Sequence, residues 1–80
     1  MRIRDILRVK GDRVITISPD HSVHQAMQAM MRHQIGALVV EAEVIVGIIT
    51  ERDILGFATR TPDAVDRVAV ADVMTRDVIV

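Results

Sequence analysis

Apolar positions recur in two rhythms along this chain. Val23, Ala26, Met27, Met30 and Met31 fall at intervals of three and four, the spacing of one helix face, with His24, Gln25, Gln28 and Arg32 largely on the other side. They predict a helix from Ser22 to about His33. Its opening, Ser22-Val23-His24-Gln25, has the capping-box form of a hydroxyl residue followed three later by Gln. Ile35 to Val40 and Val44 to Thr50 are instead continuous β-branched runs, which predict two strands. Glu41-Ala42-Glu43 between them is short enough for a hairpin but lacks the Gly or Asn that a tight primed turn prefers. Unbroken hydrophobicity in both runs implies cover on both faces, or on one face plus an interface. A second helix is expected from about Glu51 to Thr59, with Ile54, Leu55 and Ala58 inward, and Thr61-Pro62-Asp63 ends or restarts it. Upstream, Ile3 to Leu7 suits a short helical turn, Lys10-Gly11-Asp12 a turn, and Val14 to Ile17 a strand ended by Ser18-Pro19-Asp20. Helix–strand–helix–strand–strand–helix is the order of an α/β sandwich.

The tail repeats the beginning. Val70-Ala71-Asp72-Val73-Met74 followed by Arg76-Asp77-Val78-Ile79-Val80 echoes Ile3-Arg4-Asp5-Ile6-Leu7 followed by Asp12-Arg13-Val14-Ile15-Thr16. The offset is 67 residues from Asp5 to Asp72 and 64 from Val14 to Val78, so the second copy has the shorter turn. This predicts one unit over residues 1–62, then a linker and the beginning of a second repeat over 63–80.

Composition narrows the function classes. Phe57 is the only aromatic residue, so the core must be aliphatic, and small cores of this kind commonly gain stability by oligomerising. A homodimer is therefore expected. Net charge is −1 and the basic residues are spread from Arg2 to Arg76, which argues against a nucleic-acid surface. No cysteine is present, which excludes disulfides and thiolate metal sites. No apolar run approaches the ~20 residues of a membrane span, and Arg2, Arg4 and Asp5 interrupt any signal-peptide pattern. A cytoplasmic location without membrane contact is expected. His21, His24 and His33 make a thin metal case and read as surface histidines. With no nucleophile elbow and no glycine-rich loop carrying Lys, no enzyme is expected.

The most informative stretch is Gly47-Ile48-Ile49-Thr50-Glu51-Arg52-Asp53, which joins a strand to a helix start. Thr50 as N-cap and Asp53 three residues on can cap the helix. They can also meet a ligand, because a carboxylate supplies two acceptors for a cis-diol and a helix start offers N–H groups to an anion.

Five segments, in order and spacing, resemble the cystathionine-β-synthase-type (CBS) domain. They are Ile3-Arg4-Asp5-Ile6-Leu7, Val14 through Asp20, Ser22-Val23 with Ala26 and Met30, Ile35 through Val40, and Gly47 through Leu55. The resemblance implies a CBS-type unit. Its sheet would be small, mostly parallel and three-stranded, with helices packed on one side and the N-terminal segment contributing. Such units occur as tandem pairs whose clefts commonly bind AMP, ADP, ATP or S-adenosylmethionine, and a second copy of this chain could supply the missing half. Carried over by the resemblance, Thr50 would contact a phosphate and Asp53 the ribose hydroxyls. Arg52 would reach a phosphate, and Thr16, Ile17, Ile35, Gly36 and Ala37 would line the adenine slot. No cofactor is required. The expected function is regulatory adenine-nucleotide binding; the alternative is a homodimerisation module that takes no small molecule.

Overall fold

The computed structural model describes residues 15–76. The expected turns at Ile3–Leu7 and Lys10–Asp12, the role of the N-terminal segment and the strand restart at 77–80 fall outside these residues. The elements are β1 (Thr16–Ile17), α1 (Val23–His33), β2 (Ala37–Ala42), β3 (Val44–Thr50) and α2 (Glu51–Arg60). Two short 3-10 turns follow, at Pro62–Ala64 and Val70–Asp72.

The capping box at Ser22 forms as expected. The Gln25 N–H donates to Ser22 Oγ at 3.1 Å and the Ser22 N–H to Gln25 Oε1 at 2.8 Å. The helix ends at Gln34, which is left-handed with φ 55°, and the Ile35 N–H reaches back to the Met30 carbonyl at 3.0 Å. That geometry satisfies carbonyls the helix leaves free, with a glutamine standing where glycine is usual.

The sheet order is β1-β2-β3. β1 runs parallel to β2, with α1 as the crossover, and β2 runs antiparallel to β3. The α/β sandwich stands, but its sheet is evenly mixed rather than mostly parallel, because a connection as short as the one after β2 can only reverse the chain. The strands extend further into that connection than expected. Ala42 pairs with Val44, leaving Glu43 alone at the tip with φ 62°, and the register shifts between Val40 and Glu41. The bulge absorbs the extra residue and strengthens the local twist.

Both helices cover one face of the sheet. Ile17, Leu38, Val40 and Ile49 form a single buried cluster with Val23, Ala26 and Met30 of α1 and Ile54 of α2. Val39 and Ile48, opposite each other in β2 and β3, point to the other face and are buried too, so these strands are covered on both sides there. Two details depart from the helical pattern. Leu55 was expected inward but is 67 % exposed, because Ile54 is the inward anchor and Leu55 lies about 100° further round. On α1, Met30 is core, whereas Met31 is 80 % exposed.

Residues 65–75 wrap back onto the unit. The Val68 and Val65 carbonyls accept from the Val23 and His24 N–H groups at 2.9 and 2.8 Å, and the Val70 N–H donates to the His21 carbonyl at 2.7 Å. Val70 is fully buried, a contribution of about 1.5–3 kcal/mol for a side chain of this size. Thr75 then bridges to Ile48, with N–H···O distances of 2.8 and 2.9 Å.

Candidate functional site

The end of β3, the start of α2 and the start of β2 meet at one corner. Ala37 pairs with Thr50 across the hairpin, and the Glu51 N–H donates to the Gly36 carbonyl at 3.0 Å. Thr50 caps α2. Its Oγ1 accepts from the Asp53 N–H at 3.2 Å, and the Thr50 N–H donates to Asp53 Oδ2 at 2.9 Å. Capping does not exhaust the carboxylate. Oδ1 meets the Thr75 hydroxyl, which donates at 3.2 Å and lies 3.4 Å from Oδ2. Asp53 therefore keeps one oxygen for the cap and turns the other towards a rotatable hydroxyl on the wrapped-back segment.

Gly47, which opens this stretch, is required by that segment. A Cβ there would stand 2.6 Å from the Thr75 carbonyl oxygen and 3.0 Å from Met74 Sδ. Only glycine allows the backbone of residues 74–75 to lie this close to β3.

Not all the residues expected at a ligand site come together. Ile35, Gly36 and Ala37 share the corner with Thr50, Arg52 and Asp53. Thr16 and Ile17 do not: β1 lies on the far side of β2, where Thr16 pairs with Val39 and Ile17 with Val40. The Ile17 side chain belongs to the core. Two hollows flank the first turn of α2. One, of about 350 Å³, is lined by Met30, Met31, Gln34, Ile35, Gly36 and Glu51. Glu51 leans over Gly36, its Oε1 3.1 Å from where a Cβ would be. The other, of about 280 Å³, is lined by Arg52, Asp53, Gly56, Phe57 and Arg60 of α2, with Asp72 and Val73 across from them.

Three of these residues escaped the sequence reading. Arg60 and Gly56 had a signal in their spacing, since 52, 56 and 60 fall on one helix face. Thr75 had none, because its contact with Asp53 depends on the path of the chain after α2. Among the described residues no three His, Asp or Glu side chains converge as metal ligands, and no helix is long and apolar enough to cross a membrane.

Comparison with known proteins places this geometry. The family model for the CBS domain matches residues 3–60. Inosine-5′-monophosphate dehydrogenase of Methanocaldococcus jannaschii is 40 % identical over 68 residues, covering 82 % of this chain and 12 % of the enzyme. The likeness lies in the CBS domain and does not include that enzyme's catalytic region. The crystal structure of the CBS-domain protein ATU1752 from Agrobacterium tumefaciens superposes with a TM-score of 0.82 at 35 % identity, over 96 % of this chain and 63 % of that one. The CBS domain pair of the protein MJ0100, in complex with 5′-methylthioadenosine and S-adenosyl-L-methionine, superposes with a TM-score of 0.69 at 30 % identity. That match covers 84 % of this chain and 52 % of the pair. The chain thus spans only part of each of these relatives. It belongs to the CBS domain family, with one CBS unit matched over residues 3–60.

Proposed function

We propose that this chain is a regulatory module that holds an adenosine-type ligand at the corner of β2, β3 and α2 and carries out no catalysis of its own. The observation that carries the reading is Asp53, whose Oδ2 serves the cap while Oδ1 meets only a hydroxyl donor among the described residues. A ribose hydroxyl can take the place of that donor. Gly36 at the same corner allows a base to approach the backbone once the flexible Glu51 side chain swings aside. A related CBS pair that binds S-adenosyl-L-methionine supports the ligand class. Regulation then follows if the ligand has different affinities for two arrangements of paired units.

The pairing partner would be a second unit. The echo of residues 3–16 in residues 70–80 supports a boundary near 62 and a second repeat that begins in 63–80. A second copy of the chain, in the cytoplasm where nucleotides are abundant, would serve the same purpose.

Calorimetric titration of AMP, ADP, ATP and S-adenosylmethionine, with light scattering in the same buffers, tests the reading. Saturable binding by a dimer is expected, and Asp53→Ala should abolish it while the fold persists. Unchanged affinity in that variant overturns the role of Asp53. A second reading rests on exposed apolar surface: Met31 and Leu55 border an apolar groove of about 280 Å³ between α1 and α2. A dimer that forms without ligand and ignores the whole panel would make the chain an assembly module.

A further inference from the structure

The groove on the outer side of α2 narrows the ligand class. Arg52, Gly56 and Arg60 line one wall of it at intervals of four, beside Asp53. Gly56 is unexpected there, because glycine in a helix interior is destabilising relative to alanine. Packing does not demand it: a Cβ at this position would meet only Arg60 Nη1, at an ordinary 3.7 Å. Nor does the backbone demand it, since Gly56 lies inside a regular helix. What the missing side chain does is leave the floor of the groove open. The Arg60 guanidinium folds back one turn to lie beside Gly56, its Nη1 3.7 Å from where a Cβ would be.

Both arginines are exposed, and the single ion pair among the described residues is Arg67 with Asp66. The groove therefore carries a carboxylate and two cationic side chains: Asp53 and Arg52 in the first turn of α2, and the Arg60 guanidinium above Gly56, about 6 Å along the axis from Arg52. One guanidinium suffices for one phosphate. Two in sequence over an open floor suit a chain of phosphates, each fork giving charge-assisted hydrogen bonds. At about 280 Å³ the groove is smaller than the pockets that enclose whole ligands, so it suits a tail rather than a complete nucleotide. Asp72 on the facing wall opposes anions, and it sets how strongly the groove binds.

We infer that the Arg52–Gly56–Arg60 groove seats a polyphosphate tail, so that this unit prefers adenosine di- and triphosphates to AMP or to the cationic S-adenosylmethionine. The inference rests on the proposed nucleotide reading of Asp53 and adds to it the class of ligand. The test is calorimetric titration of the chain with AMP, ADP and ATP at fixed salt, repeated for Arg60→Gln, Gly56→Ala and Asp72→Asn. The expected result is about tenfold tighter binding of ATP than AMP, on the scale of one added charge-assisted contact. Arg60→Gln should remove most of that gain and leave AMP unchanged. Asp72→Asn should tighten ATP. Gly56→Ala should raise the melting temperature yet weaken ATP more than AMP, which separates the groove from any folding defect. AMP binding as tightly as ATP, or Arg60→Gln weakening all three nucleotides equally, overturns the inference alone. Failure of every nucleotide to bind overturns it together with the reading beneath it.

Discussion

The two helices of this unit begin with the same device and differ in what surrounds it. At α1, Ser22 and Gln25 form a reciprocal box; at α2, Thr50 and Asp53 form another with nearly the same distances. The Val23 and His24 amides of α1 then go to the carbonyls of Val68 and Val65, so residues of the wrapped-back segment close that end. At α2 the same segment arrives as a side chain, with the Thr75 hydroxyl on Asp53, and leaves a groove beside it. Chemistry separates the boxes as well. Gln25 is a neutral amide with one acceptor oxygen, already used, whereas Asp53 has a second oxygen to offer. A capping box is thus a structural device by default. It becomes a candidate site where its acceptor exceeds what the cap needs and its surroundings leave that excess within reach.

The sharpest way to break the comparison is to exchange the third residues of the boxes. Asp53→Gln should keep the cap, since Gln serves that position in α1, and should cost only about 0.5–1.5 kcal/mol, the scale of the lost Thr75 contact. Nucleotide affinity should nevertheless fall by about a hundredfold, the scale of losing hydrogen bonds to a charged group. Gln25→Asp should keep the fold and bind nothing new at α1. Calorimetry on both variants, beside thermal melts, reads the contrast; full affinity in Asp53→Gln would make the two boxes functionally equal.

Next in size is Gly47→Ala. The added Cβ would meet the Thr75 carbonyl at 2.6 Å, so the exit backbone must move. Overpacking of this kind is worth about 1–3 kcal/mol, measured by urea denaturation. The effect should fall beside the α2 box, whose carboxylate meets Thr75, and spare the one at Ser22. Hydrogen exchange should therefore quicken at Ile48 and Thr75 and stay unchanged at Gln25. Removing the caps themselves is a smaller, symmetrical perturbation: Ser22→Ala and Thr50→Ala should each cost about 1 kcal/mol. A markedly smaller loss at Thr50 would mean that its hydroxyl is held mainly for a ligand.

Much of this was legible in the chain, and the parts that were not share a cause. The 3.6-residue rhythm located α1, and the two boxes were visible as Ser-x-x-Gln and Thr-x-x-Asp. The strand runs showed the hairpin, because continuous β-branched sequence has few other uses. Leu55 was misplaced because an apolar residue beside Ile54 looks inward until the neighbouring helix fixes which face is buried. The tip at Glu43 was illegible because positive φ is uncommon for a non-glycine residue and is imposed here by the pairing of Ala42 with Val44. Thr75 and the arginine groove depend on where residues 65–75 run, which is decided by the burial of Val70 and by hydrogen bonds to loops distant in sequence. Local pattern therefore located both boxes and could not say which one faces an open groove.

The smallest expected effect concerns Thr75 and bears most directly on what distinguishes the α2 box. Its hydroxyl reaches Asp53 Oδ1 at 3.2 Å, while its backbone is held independently by the bridge to Ile48. Thr75→Val removes the hydroxyl and keeps the β-branched shape that suits the bridge, so stability should fall by only about 0.5–1.5 kcal/mol. A ligand hydroxyl that must displace Thr75 would then bind a few-fold more tightly, because the competing donor is gone. A nucleotide without ribose hydroxyls, such as the dideoxy analogue of AMP, should show no such gain. If AMP instead binds more weakly to Thr75→Val, the hydroxyl orients the carboxylate and does not compete for it. In that event the exit segment is part of the site, and the two boxes differ because residues 74–75 complete one of them.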